Sequence, residues 1–437
     1  MKEIILYPGN WLYNAGVVGF LRVIAKFENL DLVQSWLRDD GTVAIEQDTF
    51  QRLFSSGGSS SGGSSSGAVD SGSIPKALEY FVEYSCDPEE LNKWLNSGDT
   101  KGVQPRAKYQ DFKQKMGDFG YRFIYVGNRL FASNRPFQNL VQLDEWREFQ
   151  FCSILENIPQ NLQTTPQASS GRTCDICGSS LIQYPNRKPD LEKRLAKFQH
   201  THFTILGPSE GKFPNSLWNG NSSLWVCPLC VYLMLHRDFA FINLADNSNL
   251  ADGSRIFLNA PSFQVMWYLN KLVREIYARE NIASVREILG MSLIELALRL
   301  GVQLGVWTEM NIEVVSWRKI RDNGKTRDVI DFVSLPYEVV QLLLDKEIAS
   351  SLVRIGEISV LRMILEKRFG EILEMGERLM MIAAKPKKSW GESERNYLDK
   401  QIGLERNRKN EVKLMGFAAS LFSLYALIEE RMGGGWW

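Results

Sequence analysis

Cys174-Asp175-Ile176-Cys177-Gly178 and, across 49 intervening residues, Cys227-Pro228-Leu229-Cys230 decide how this chain is read. A CxxC turn places two thiolates on one side of a tight loop. Two such turns together supply a tetrahedral shell of four sulfurs, the donor set that suits zinc. Gly178 lets the chain turn after the first pair, so that backbone amides can face the sulfurs. The spacer is longer than that of a zinc ribbon and reads as an insertion hung between two knuckles. Residues 170–232 are therefore assigned as an inserted zinc-binding module. Four thiolates leave no open position for water, so the expected zinc is structural, and it could contribute on the order of 10 kcal/mol to folding. A thioredoxin-like redox motif needs only one CxxC pair. An iron–sulfur cluster also takes four cysteines and stays open as an alternative, as does replacement of one ligand by His200 or His202.

Composition bounds what surrounds this module. A chain of 437 residues is expected to hold two or three domains. Lys+Arg and Asp+Glu both number 51, so the formal net charge is zero. A protein that binds nucleic acid by itself is usually basic overall. Any such binding here must come from local patches or be shared with partner subunits. Six cysteines in so long a chain do not make a disulfide scaffold. The pairing of four of them points to a reducing compartment, and the cytoplasm is the expected location. The N-terminus does not read as a secretory signal, and neither Ala15–Phe27, broken by Arg22, nor Gly416–Ile428 is long enough to span a bilayer. No membrane partner is expected.

Outward from the cysteines, the sequence divides by pattern. Residues 55–73 are rich in Ser and Gly and have no side chains able to build a core. Their regularity reads as an engineered linker standing in for a deleted or disordered insertion, with a natural low-complexity loop as the alternative. Residues 1–54 and 74–169 form an N-terminal α+β domain. In it Glu3–Leu6 reads as a strand, Tyr7-Pro8-Gly9-Asn10 as a turn and Ala15–Phe27 as a helix. Gly120–Leu130 reads as a strand, and residues 141–157 as a helix. Residues 233–336 continue that domain, with a hairpin at 311–333 whose two alternating runs flank Asn323-Gly324, a dipeptide suited to a type I′ turn. From 337 to 437 apolar residues recur at helical spacing, as in Leu361, Ile364, Leu365, Phe369, Ile372 and Leu373, with charges between them. Lys385-Pro386-Lys387-Lys388 interrupts this stretch. The expected fold is thus α+β: a mixed N-terminal part with an inserted zinc-binding CxxC…CxxC module, followed by an all-α C-terminal helical bundle.

Two basic regions could contact nucleic acid. Between Lys101 and Arg135 eight basic residues meet two acidic ones, and aromatic residues interleave. Arg106, Lys108, Lys113 and Lys115 suit phosphate contacts. Asn128, Arg129, Asn134, Arg135, Gln138 and Asn139 add amides and guanidinium groups able to read base edges. The plainer reading is a solvated face over a β-sheet core. The second region, Lys385 to Lys413, carries nine basic and five acidic residues. Its candidates for strand-backbone contacts are Lys385, Lys387, Lys388, Arg406, Arg408, Lys409 and Lys413, on helix surfaces that solubility alone could explain. No Walker-type loop, HExxH or GxSxG is present, and the carboxylates form no sequence pattern for two metals. A non-enzymatic role is expected.

The opening stretch, Leu6 to Ile24 (LYPGNWLYNAGVVGFLRVI), joined to the two CxxC pairs, resembles the large subunit of type I-B CRISPR surveillance (Cascade) complexes, in its CXXC–CXXC subfamily. The Ser/Gly stretch departs from that family. The resemblance implies antiviral defence: a subunit at the foot of a crRNA-guided complex that reads the protospacer-adjacent motif (PAM) on duplex DNA. It would help unwind the target and stabilise the R-loop, while base pairing supplies most of the sequence specificity. Implied partners are crRNA, target double-stranded DNA and the other Cascade subunits (backbone, 5′-handle-binding and small), with a helicase-nuclease or transposition proteins downstream. The family's helical end resembles the small subunit, which several type I-B systems also make from an internal start; Met363 is a candidate for such a start. Asn10, Trp11, Tyr13 and Asn14 could hold the crRNA end, or could serve the fold as a turn with a buried Trp. Three rival readings remain open: a stand-alone zinc-ribbon nucleic-acid-binding protein, a metal-dependent nuclease whose carboxylates converge only in the fold, and a purely structural scaffold.

Overall fold

A computed structural model describes residues 3–54, 76–86, 89, 173–178, 197–199, 223–243, 255–277, 285–300, 312–322, 325–400 and 411–433. Contacts group the chain into two units, Met1–Phe241 and Ile242–Trp437.

The first unit is built around one helix. Strand β1 (Glu3–Leu6) leads through the Tyr7–Asn10 turn into α1 (Trp11–Phe27), followed by α2 (Leu30–Trp36), β2 (Val43–Glu46), α3 (Gln47–Phe54) and α4 (Lys76–Ser85). After these come β3 (Lys197–Gln199), β4 (Ser223–Trp225), α5 (Pro228–Leu235) and α6 (Arg237–Ala240). Strands β1 and β2 pair antiparallel, Glu3 opposite Glu46 and Leu6 opposite Val43, and β3 pairs antiparallel with β4. Helix α1 is buried from Leu12 through Leu21, and again at Val23 and Ile24. A helix that is apolar on every side belongs inside a core, and α2, α4, α5 and α6 all pack against this one.

The helix begins four residues before the expected Ala15, and cap chemistry explains why. Asn10 is extended, and its side-chain oxygen accepts the Tyr13 amide at 3.0 Å, satisfying a donor that the first turn leaves open. Asn14 then closes the preceding turn. Its Oδ1 accepts the Gly9 amide at 2.8 Å, and its Nδ2 donates to the Gly9 carbonyl at 2.9 Å. An apolar-run criterion cannot see a helix start that polar residues set.

In the second unit β5 (Ile242–Asn243), β6 (Arg255–Asn259), β7 (Glu313–Asp322) and β8 (Lys325–Ser334) form one antiparallel sheet in the order β5-β6-β7-β8. Helices α7 (Phe263–Tyr277) and α8 (Val285–Leu300) lie between β6 and β7 in sequence. The chain continues through α9 (Tyr337–Leu344), α10 (Lys346–Ile355), α11 (Ile358–Leu365), α12 (Phe369–Ala383), a 3₁₀ turn at Lys387–Ser389, α13 (Glu392–Lys400) and α14 (Glu411–Arg431). The expected hairpin is β7–β8, in register from Glu313↔Ser334 to Asp322↔Lys325. The expected break at 385–388 is the 3₁₀ turn. Beyond it lie α13 and α14, with residues 401–410 outside the described residues.

The sheet shares its unit with the C-terminal helices, although the sequence patterns place residues 233–336 with the N-terminal part. Helix α7 packs on β5 and β6, and α8 packs on β8 and also on α9, α10 and α11. Asn270 of α7 ties helix to sheet, accepting the Leu258 amide at 3.0 Å and donating to the Leu258 carbonyl at 2.8 Å. Helices α12 and α14 approach closely at Gly376, where an added Cβ would lie 2.8 Å from the Phe422 ring. Arg431, near the end of α14, pairs with Asp345 and Glu347 at the start of α10. The fold is α+β with a helical C-terminal end.

Candidate metal centre

Two local structures bring the four cysteines together. Cys174–Cys177 form a turn closed by Gly178, whose amide donates to the Cys174 carbonyl at 2.9 Å. Gly178 has φ +71°, in the left-handed region where a side chain is strained, so glycine suits this position. The second pair opens a helix. Cys227 is extended and serves as the N-cap of α5, its sulfur accepting the Cys230 amide at 3.4 Å, with Pro228 at the first helical position. One residue is thus both cap and candidate ligand, and the positive end of the helix faces the sulfurs. The Cys227 amide also donates to the Cys174 sulfur at 3.3 Å and so links the two knuckles.

The four sulfurs all lie within 4.8 Å of one another. Cys174 and Cys230 are separated by 3.9 Å, and Cys177 and Cys227 by 3.6 Å. Four thiolates about 2.3 Å from one zinc in a tetrahedron would lie roughly 3.8 Å apart. The spacing fits a single ion. A cluster of several irons needs room for its sulfides between the cysteines, which this spacing does not leave. Cys174, Cys227 and Cys230 are buried, and Cys177 lies at the exposed edge. Among the described residues no other group of His, Cys, Asp or Glu is placed to hold a metal ion.

Crowding among the four thiols shifts the titration of Cys174, Cys227 and Cys230. Cys177 works to raise the Cys174 thiol, but hydrogen bonds from Cys227 and Cys230 bring it down to about 7. Contacts with Cys174 and Cys177 push Cys227 well above the usual thiol range. The same two residues, then Cys227 and burial, push Cys230 up as well. Cys227 and Cys230 are thus held as thiols in the metal-free centre, and a metal that binds here must displace their protons.

Helix α1 packs against α5, the helix that Cys227 opens. A Cβ at Gly16 would fall 2.6 Å from the Leu233 carbonyl oxygen, and one at Gly19 would fall 2.0 Å from that of His236. Only glycine permits this approach of α1 to α5. Arg22 caps the far end, its Nη1 donating to the Phe239 and Ala240 carbonyls at 2.7 and 2.8 Å. Between them His236 is fully buried, its ring edge-on to Phe20, Phe81 and Tyr232. Burial pulls its pKa down to about 3, against the backbone carbonyl hydrogen bonds that would raise it. Tyr13 is buried too, and burial first, then the charges of the four cysteines, raise its hydroxyl well above the usual range.

The structure brings together Cys174, Cys177, Cys227 and Cys230, and it buries Tyr13 and Asn14 on α1. Asn10 and Trp11 stand at the start of α1, Asn10 exposed and Trp11 half-buried. Lys385, Lys387, Lys388 and Lys413 are exposed in the second unit, and Lys385 pairs with Glu394. Arg106, Lys108, Lys113, Lys115, Asn128, Arg129, Asn134, Arg135, Gln138 and Asn139 lie outside the described residues, as do Arg406, Arg408 and Lys409. So do the expected strand at 120–130, the expected helix at 141–157 and the linker at 55–73. Sequence reading gives Gly16, Gly19, Arg22 and His236 no role. The one signal was the three-residue spacing of the two glycines on an apolar helix, which puts both on one face.

Fold and site define an α+β protein braced by a centre of four thiols that could bind one metal ion, with a donor set and spacing that suit zinc. Residues 167–241 match the model of a family described as CRISPR-associated protein (Cas_CXXC_CXXC). The matched segment is under a fifth of the chain and holds all four cysteines together with α5 and α6. It supports a CRISPR-associated protein of this family with a role in CRISPR defence. No curated protein and no solved structure matches the chain. No helix among the described residues is long and apolar enough to cross a membrane.

Proposed function

We propose that this chain is the non-catalytic large subunit of a type I-B, crRNA-guided interference complex in the cytoplasm. In that role it recognises the PAM on duplex DNA, helps unwind the target and stabilises the R-loop. The observation that carries this reading is the match of the cysteine segment to a CRISPR-associated family. Its support is the close packing of that segment on α1, the helix that the N-terminal LYPGNWLYNAG stretch begins. Two motifs far apart in sequence thus form one structural piece, as expected if they belong to one protein class. The zinc held by Cys174, Cys177, Cys227 and Cys230 is structural on this reading, because four protein thiolates leave no place for substrate or water.

A chain with zero net charge fits a subunit that meets DNA only inside an assembly, where crRNA, the backbone subunits, the 5′-handle-binding subunit and the small subunit fix its position. Arg129, Arg135, Asn128, Asn134, Gln138 and Asn139 are the candidates for motif reading, and the lysines of the helical end for backbone contacts. The test is reconstitution. The chain is co-expressed with crRNA and the partner subunits of its own locus, and binding to target duplexes is measured with and without the adjacent motif. Co-assembly, with motif-dependent binding that is lost when this chain is left out, is the expected result. Tight duplex binding by the free chain without crRNA would favour the stand-alone binder. Divalent-metal-dependent cleavage by the free chain would favour the nuclease.

A further inference from the structure

In the second unit the end of α14 borders an open cavity of about 460 Å³, a size that suits a small ligand or one large side chain. Its apolar lining is Tyr337 and Leu342 of α9 and Met432, the residue that follows α14. Leu342 is buried, whereas Tyr337 is 42% exposed and gains from being covered. The charged groups around the cavity are already paired, Glu338 with Lys367 at 2.9 Å and Asp345 with Arg431 at 2.8 Å. Such a lining does not call for an ion. It suits a neutral, apolar group that can donate a hydrogen bond to a carboxylate. Gln341 also lines the cavity, and its Nε2 has no acceptor among the described residues, a bond that a peptide carbonyl laid beside it would supply.

We infer that this cavity receives an indole ring of the chain's own Trp436-Trp437 pair. The inference depends neither on the metal centre nor on any contact with DNA. Gly433 has φ +78°, the left-handed conformation that ends a helix and turns the chain off its axis. Gly434, Gly435, Trp436 and Trp437 follow it, outside the described residues. Measured from Met432 on the rim, an extended chain reaches about 14 Å to Trp436 and about 18 Å to Trp437, so either ring is within range. The glycines form a flexible tether with no side chain to hinder a return to the cavity. The segment carries no charged side chain, in keeping with a lining whose charges are paired. A buried indole N–H needs an acceptor, and the carboxylates of Glu338 and Asp345 offer one, while the Arg431 guanidinium suits the face of the ring. Tethering keeps the indoles near the cavity at a millimolar effective concentration. Any outside peptide must displace them first, so the docked segment guards the cavity.

The test uses the full chain, its Trp436→Ala/Trp437→Ala variant, and a labelled Gly-Gly-Gly-Trp-Trp peptide, blocked at both ends and added in trans. The double variant is expected to bind the peptide, and the wild type to bind it at least about 10-fold more weakly, because its own segment competes. Adding Tyr337→Ala to the double variant should abolish that binding. Hydrogen exchange supplies a second readout that needs no change in the cavity. The amides of α9 are expected to exchange more slowly in the wild type than in the double variant. A peptide that binds both proteins equally, or does not bind the double variant, overturns the inference, as does α9 exchange that is the same in both. A wild-type dimer that is lost in the double variant also overturns it, and assigns the cavity to the same segment of a second copy. Should Tyr337→Ala fail to fold, the exchange measurement decides.

Discussion

His236 has no partner for its Nε2 in a pocket of rings, while its Nδ1 lies 3.0 Å from the Tyr232 carbonyl. The folded state holds the ring neutral, with a pKa of about 3, whereas the unfolded chain takes a proton near pH 6.5. Because the folded value is depressed, the stabilisation is complete above about pH 6.5 and is lost as pH falls towards about 3. Across that window the cost is ~1.4 kcal/mol per pH unit. His236→Phe keeps an aromatic ring in the pocket and removes the titration. Denaturant melts of both proteins from pH 7 to pH 5 should therefore diverge by roughly 2 kcal/mol, wild type losing more, whereas parallel curves would mean the ring is not buried in neutral form. Nothing in the sequence marked His236, since one histidine in an apolar run has no local signature. The cysteines were legible because CxxC forces two sulfurs into one loop. Asn10 and Asn14 were legible only as an ambiguity. The same amides can bind a ligand or a backbone, and the Gly9 hydrogen bonds show what Asn14 does within this chain.

Helix docking gives a prediction whose sign is set by competition. In an exposed helix Gly→Ala gains about 1 kcal/mol from backbone entropy. Gly416 of α14 is exposed with nothing within 4 Å of an added Cβ, so Gly416→Ala should stabilise by about 0.5–1 kcal/mol. At Gly19 the same methyl meets the backbone of His236, which cannot swing aside as a side chain can. Gly19→Ala should cost about 2–3 kcal/mol or prevent the first unit from folding, which melts of the full chain will register. A gain there instead would mean that α1 and α5 do not approach as described. The elements themselves were largely readable. β1, the β7–β8 hairpin and the C-terminal helices announce themselves through alternation of two or recurrence near 3.6. What could not be read was which elements pack together. The sheet of the second unit joins the C-terminal helices through α8, and α8 carries no sequence mark of having β8 on one side and α9, α10 and α11 on others.

For the molecule as a whole, local basic patches must serve a chain of zero net charge, and this makes their effect conditional. Charge reversal of Arg129 and Arg135 together should weaken target-duplex binding by the reconstituted complex by about 10-fold or more, and lessen its salt dependence, without impairing assembly on crRNA. Binding unchanged in affinity and in salt dependence would assign DNA contact to other subunits and leave this chain a scaffold. Beneath any such role lies the four-cysteine centre, whose helix α5 packs on α1. Native mass spectrometry of the full chain tests it most directly. One zinc per chain is expected, removed by a strong chelator and absent from Cys174→Ser, with a lower melting temperature in each case. A chain that carries no metal as purified, takes up none when zinc is added, and melts at the same temperature with or without Cys174 would contradict the account.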